Sequence, residues 1–119
     1  MAKKITPLPK LLKKAEKVFN TWVRERDRDK GCISCGGNVD HAGHYFSMGH
    51  HSALRFSEDN VHGQCVRCNV FLHGNLIEYG QGIIKRYGVP THFGLLNKSR
   101  NAVKKWSREE LEAIINKYK

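Results

Sequence analysis

Two cysteine pairs are the clearest chemical signal in the chain. Cys32-Ile-Ser-Cys35 and Cys65-Val-Arg-Cys68 are C-x2-C knuckles with 29 residues between them. Each knuckle turns the backbone so that two thiolates face one centre. Two knuckles supply the four soft ligands of a tetrahedral structural zinc, one per chain. The competing chemistries are disulfides and a thiol redox pair. The chain reads as one without an export signal, which argues against disulfides. A redox pair would come singly, beside a βαβ pattern. The segment between the knuckles has few large apolar residues, so metal binding and folding are expected to be coupled. Four sulfurs leave no open position on the metal, and any reaction needs a second centre.

Six of the seven histidines (His41, His44, His50, His51, His62 and His73) lie in the same middle third. Three residues there suit a one-metal attack on a phosphodiester. His44, in Ala42-Gly43-His44-Tyr45, is a base of suitable natural pKa. Asn60, in Asn60-Val-His-Gly-Gln-Cys65, would hold a loop and orient that base. Asn69, directly after the second knuckle, offers a neutral oxygen to a hard cation. A further ligand would come from Asp40, His41 or His73, and spacing does not choose among them. Each has a plainer alternative: His44 lodged structurally beside the zinc, Asn60 as a turn-former, Asn69 as a helix N-cap. His62 reads as support lining the same cleft. His50 and His51 read as solvated or touching phosphate, and His92 has no assigned task.

These side chains need a frame. Residues 8–28 have helical spacing, with Leu11, Leu12, Ala15, Val18, Phe19, Trp22 and Val23 on one stripe. Packing on the zinc core is the preferred use of that stripe, and a dimer seam is the alternative. Gly43–Met48 and Val61–Cys65 read as strands joined by the polar loop 49–59. A helix is expected from Arg67, with Asn69 and His73 on one face, interrupted near Gly80 and Gly82 and stopped at Gly88-Val89-Pro90. Residues 91–105 show no clear element. Ser107-Arg108-Glu109-Glu110 is a capping-box start for a last helix carrying Leu111, Ile114, Ile115 and Tyr118. The fold class is therefore α+β, a zinc-stapled ββα core (31–88) between a basic N-terminal helix (1–30) and a basic C-terminal segment with helices (89–119).

The order Cys32-x2-Cys35-Gly36, Gly43-His44-Tyr45, Leu54-Arg55-Phe56, Asn60-x-His62-x-Gln64-Cys65-x2-Cys68-Asn69 and Gly74-Asn75 resembles the phage NinG/Rap recombination family. More broadly it resembles the HNH, or His-Me finger, nucleases, and the Asn after the last cysteine is like that of phage endonuclease VII. The resemblance spans about residues 10–90. It implies an endonuclease acting on branched DNA such as Holliday junctions and D-loops. His44 would be the general base, with Asn60 orienting it and Asn69 holding one Mg²⁺ or Mn²⁺. It also implies a recombinase as a partner and the host cell cytoplasm as the location. A non-catalytic zinc-stabilised DNA binder and a nickase of ordinary duplex are the alternatives.

Charge agrees with a polyanionic partner. The net is +10, distributed as +6 over residues 1–30, −2 over 31–79 and +6 over 80–119. Arg55, Lys85, Arg86, Lys98, Arg100, Lys104 and Lys105 are the expected phosphate contacts. Trp106 reads as core, with stacking at a branch point as the alternative. The longest apolar run is three residues, far short of the roughly 20 that a spanning helix needs, so no membrane is expected. Paired cuts on a two-fold junction favour a homodimer, with the N-terminal helix as its seam.

Overall fold

The computed structural model describes residues 5–119. Lys3 and Lys4, part of the N-terminal basic arm, lie outside the described residues. The elements run α1 (Leu8–Asp27), β1 (His41–His44), a 3₁₀ turn (Ser52–Leu54), β2 (Val61–Gln64), a single π turn (Arg67–Phe71), α2 (Leu76–Tyr87), α3 (Val89–Ser99) and α4 (Arg108–Tyr118). The architecture is mixed, helices around a two-stranded antiparallel sheet. Among the described residues no helix is long and apolar enough to cross a membrane.

The stripe on α1 buries Leu11, Ala15, Phe19 and Val23 at i, i+4 spacing. Their partners are Leu111, Ile115 and Tyr118 of α4 with Phe56 and Val61 of the middle segment. Truncating a buried Phe such as Phe19 to Ala typically costs about 3–5 kcal/mol, so this helix pair is a principal source of stability. The stripe therefore packs chiefly on α4 and the sheet. The apolar stripe is thus covered within the chain. The capping box at Ser107 and Glu110 forms as expected, each side chain bonding the other residue's backbone N–H.

A second core joins Ile33 of the first knuckle to Leu54, Tyr79, Ile83, Leu95 and Ala102. The Tyr79 hydroxyl donates to the Gly43 carbonyl at 2.6 Å, which fixes α2 against the sheet. Gly80 and Gly82 do not interrupt α2. They let it approach its neighbours: a Cβ at position 82 would lie 2.0 Å from the Ile33 carbonyl oxygen, and one at 80 would lie 2.7 Å from the Tyr45 hydroxyl. The interruption falls earlier, at His73-Gly74-Asn75, where all three residues have positive φ. His73 is thereby separated from the turn that carries Asn69, and the expected shared helix face is lost.

β1 is shorter and earlier than Gly43–Met48. Asn60 explains its end, because its side chain takes both backbone groups of Phe46 (below) and substitutes for the ladder there. Much of the stretch 91–105, which shows no clear element in the sequence, is helical: α3 runs Val89–Ser99 with Pro90 in its first turn. Pro in the first helical turn needs no N–H donor, so it opens this helix as well as ending the previous one.

Candidate functional site

The cysteines converge. Sγ atoms of Cys32, Cys35, Cys65 and Cys68 all lie within 4.8 Å of one another, and the Cys35–Cys65 separation is 3.6 Å. A tetrahedron of bonds near 2.3 Å has edges of about 3.8 Å, whereas a disulfide needs about 2.05 Å. The arrangement fits a bound zinc, and none of the four is in a disulfide. The backbone N–H of Gly37 donates to Cys35 Sγ and that of Cys68 to Cys65 Sγ, each at 3.4 Å. Asn75 Nδ2 adds a contact to Cys68 Sγ at 3.5 Å. Burial pushes the Cys68 thiol up to about 12. A bound cation would supply the positive charge that holds this thiol as thiolate.

The second knuckle is braced from the first strand. Asp40 Oδ2 accepts from the Val66 N–H at 3.1 Å, and the Asp40 N–H donates to the Gln64 carbonyl at 3.0 Å. Asp40 is thus directed at the knuckle. His41 is the residue that meets Asn69: its Nδ1 lies 3.1 Å from Asn69 Nδ2. Asn69 is not an N-cap. It sits inside the π turn, with its N–H bonded to the Cys65 carbonyl, and its side chain reaches across to β1. A Cβ on Gly43 would stand 3.0 Å from Asn69 Oδ1, so Asn69 overlies the residue next to His44.

His44 closes β1 and leaves the face opposite to His41, by the alternation of a strand. Its Nε2 lies 3.0 Å from the Arg55 carbonyl oxygen. A carbonyl only accepts, so Nε2 carries the proton and Nδ1 keeps the lone pair. Burial pushes the His44 pKa below its ordinary value, opposed by the Arg55 carbonyl and assisted by the Arg55 charge. The ring is neutral near pH 7, as a base must be. It lines a cleft of about 340 Å³ with Tyr45, Phe46, Ser47, His51, His73 and Leu76. His73 is therefore near His44, while His41 and Asn69 meet on the opposite face of β1 and do not line the His44 cleft.

Asn60 is fully buried. Its Oδ1 accepts from the Phe46 N–H at 2.8 Å, and its Nδ2 donates to the carbonyls of Phe46 and Leu54 at 3.0 and 3.2 Å. It ties both ends of the loop together and is more than a turn-former. His62 does not line the cleft. It is core, with Nε2 bonded to the Asp59 carbonyl at 2.8 Å, and burial lowers its pKa to about 4.

Several basic residues have structural work. Arg55 pairs with Glu16 of α1, and Lys104 pairs with Glu110 while lying over the Trp106 ring. Arg86 Nη2 donates to the carbonyls of Lys30, Gly31 and Cys32 at 2.9, 2.9 and 3.1 Å, gripping the entry to the first knuckle. Lys85, Lys98, Arg100 and Lys105 are exposed. Trp106 packs edge-on against Phe56 and donates to the Ser52 carbonyl at 2.9 Å, a core role.

Asp27 carries no role in the sequence reading, yet it is buried at the end of α1. It accepts from the Gly63 N–H at 2.7 Å and makes a two-bond pair with Arg26. An acid in the last turn opposes the helix dipole, and that mismatch was the available signal. Gln64 gave none beyond its place in the motif.

The profile described as "Bacteriophage Lambda NinG protein" matches residues 2–119. The chain belongs to the NinG family. Curated NinG proteins of Salmonella phage P22 and Escherichia phage lambda are each 39% identical over 110 residues, covering 90% of this chain and 53% of theirs. That of Escherichia phage 933W is 40% identical over 110 residues, covering 90% and 54%. The chain spans about half the length of these NinG relatives. No solved structure matches it. The NinG match takes in α1, α3 and α4, so it extends beyond the motif-bearing stretch on both sides.

Proposed function

We propose that this NinG-family chain is a metal-dependent DNA endonuclease of the HNH type that cuts branched DNA during phage recombination in the host cytoplasm. The observation that carries the reading is the His44–Arg55 bond. It fixes the imidazole tautomer and leaves Nδ1 as a free base beside an open cleft. What separates His44 from His62, whose Nε2 makes a like bond in the core, is that His44 lines this cleft.

In the proposed reaction His44 Nδ1 takes the proton of the attacking water. Asn60 holds the loop that supplies the orienting carbonyl. Asn69, with His41 beside it on the other face of β1, would hold one Mg²⁺ or Mn²⁺. A phosphate seated across the end of the strand would meet both that ion and His44, and the ion's charge would offset that developing on the phosphate and the leaving 3′ oxygen. The donor set there is uncharged nitrogen and oxygen, which suits a weakly held ion of this class. His73 lies in the His44 cleft and would contact the substrate backbone. The zinc supplies rigidity only. Two copies acting together would give the paired cuts of a junction, and a recombinase would be the partner that delivers such substrates.

Cleavage of a four-way junction, a D-loop and a linear duplex, each with Mg²⁺ and with EDTA, tests this. The expected result is metal-dependent cutting of the branched substrates. Equal cutting of linear duplex would make the chain a general nickase. Junction binding with no cutting in any metal would make it a binding module.

A further inference from the structure

Gln64 ends β2 and is fully buried. Its Nε2 donates to the Ser34 hydroxyl at 2.9 Å and to the Gly74 carbonyl at 2.7 Å. The Gly74 oxygen can only accept, so the amide cannot be turned the other way. Oε1 is thereby directed to the far side, where it has no hydrogen-bond partner among the described residues. A buried acceptor left in that state is costly, and native interiors rarely keep one without a ligand, water or ion.

What Oε1 faces is the bare side of Gly43. A Cβ there would lie 1.8 Å from Gln64 Oε1 and 3.0 Å from Asn69 Oδ1. Asn69 has its own Nδ2 turned to His41 Nδ1, which directs its oxygen into the same space. Two amide oxygens from different elements thus converge on one point, and neither donates. Their negative ends repel unless a positive partner lies between them. Hard cations take neutral carbonyl oxygens of this kind. The absence of a side chain at position 43 is what lets the Gln64 amide oxygen approach the strand so closely.

We propose that Gln64 is an oxygen ligand of the divalent cation held by Asn69, the two amide oxygens forming a cradle over Gly43. This rests on the nuclease reading of Asn69 and adds a ligand that the motif did not assign. Gln64 is suited to the task because its amide is fixed from behind by Ser34 and Gly74. The oxygen is positioned before any ion arrives.

The test uses the zinc-loaded, ¹⁵N-labelled protein and substoichiometric Mn²⁺, read by NMR. The side-chain NH₂ signals of Gln64 and Asn69 should broaden first, with those of Asn38 and Asn20 keeping their intensity. Gly43→Ala, whose methyl occupies the cradle, should weaken Mn²⁺ binding at least tenfold by the EPR signal of free Mn²⁺, with zinc content unchanged. Should Gly43→Ala fail to fold, the Mn²⁺ affinity of Gln64→Leu is read in its place. Because Mn²⁺ held by Asn69 alone would broaden both neighbouring amides, Gln64→Leu decides the ligand: unchanged Mn²⁺ affinity in zinc-loaded, folded Gln64→Leu overturns the proposal, and if metal-dependent cleavage persists the nuclease reading stands. If neither amide broadens and no DNA is cut with Mn²⁺, both fall together.

Discussion

Asn60 and His44 grip neighbouring carbonyls of one short segment. Asn60 Nδ2 donates to the Leu54 carbonyl at 3.2 Å, and His44 Nε2 donates to the Arg55 carbonyl at 3.0 Å. The same Asn60 amide holds Phe46 from both sides. Residue 60 thus positions the imidazole through the backbone of the loop that the imidazole leans on.

Replacing Asn60 by Ala should therefore do two things at once. Three buried hydrogen bonds are lost, which at about 1 kcal/mol each lowers stability by roughly 3 kcal/mol in urea unfolding. On the proposed reaction, cleavage should also fall more than junction binding, because the Arg55 carbonyl is no longer held. Asn60→Asp keeps the acceptor to Phe46 but loses both donated bonds. It should restore neither effect, which separates the two ends of the amide.

His44→Ala should lower cleavage on the order of 10²–10⁴-fold while leaving junction affinity and zinc content close to those of the parent. The pH profile gives a further check. Burial lowers the His44 pKa, so the rate should rise with pH through an apparent pKa below the ordinary histidine value. A variant that cuts at the parental rate removes His44 from the mechanism.

The zinc cluster should determine whether the chain folds at all. Structural zinc contributes an apparent 10–16 kcal/mol or so in small metal-folded units, comparable to the entire stability of a typical domain. Native mass spectrometry should find one zinc per chain, and Cys32→Ser or a strong chelator should abolish cooperative unfolding. A metal-free chain with unchanged near-UV circular dichroism would show that the two hydrophobic cores suffice alone.

The parts of this molecule that were legible in the sequence were those set by one periodicity or one short spacing. The α1 stripe, the capping box at Ser107 and the meeting of four sulfurs each need only local rules. What was not legible depended on tertiary partners. Gly80 and Gly82 look like breaks because glycine lowers helix propensity, yet Ile33 and Tyr45 require their missing side chains. Asn69 has an N-cap as its plainer alternative because nothing local shows β1 standing opposite it. Arg55 and Arg86 count as free charge until Glu16 and the knuckle carbonyls are in view. Residues 89–99 carry too weak an apolar pattern to announce α3, whose buried contribution is Leu95 alone.

His62 makes the fold acid-sensitive. Burial holds its pKa at about 4 in the folded protein, against about 6.5 in an unfolded chain. Between those values the unfolded state binds the proton and the folded state does not, so stability falls as pH drops from 6.5 to 4. The loss approaches 3 kcal/mol, to order of magnitude, at the low end. Thermal unfolding of the parent against His62→Gln isolates it: the variant should show a shallower slope over that window, and the remaining slope belongs to carboxylates and zinc thiolates.

The division of the basic residues can be read from salt dependence. A contact that neutralises a phosphate releases counterions and steepens the fall of log K with log salt by nearly one unit for duplex DNA. Lys98, Arg100 and Lys105 are exposed, and changing each to Ala should weaken junction binding at low salt and flatten that slope by up to about one unit apiece. Arg86 is different. Its guanidinium already serves three carbonyls at the first knuckle, so Arg86→Ala should lower the unfolding midpoint and loosen zinc while the salt slope stays near the parental value. Arg55→Ala should behave as Arg86→Ala does in stability, through loss of the Glu16 pair, and should also slow cleavage if the loop carrying its carbonyl shifts. Flattening of the slope by Arg86→Ala in protein that keeps its zinc would return that residue to the DNA interface and leave the knuckle held by its backbone alone.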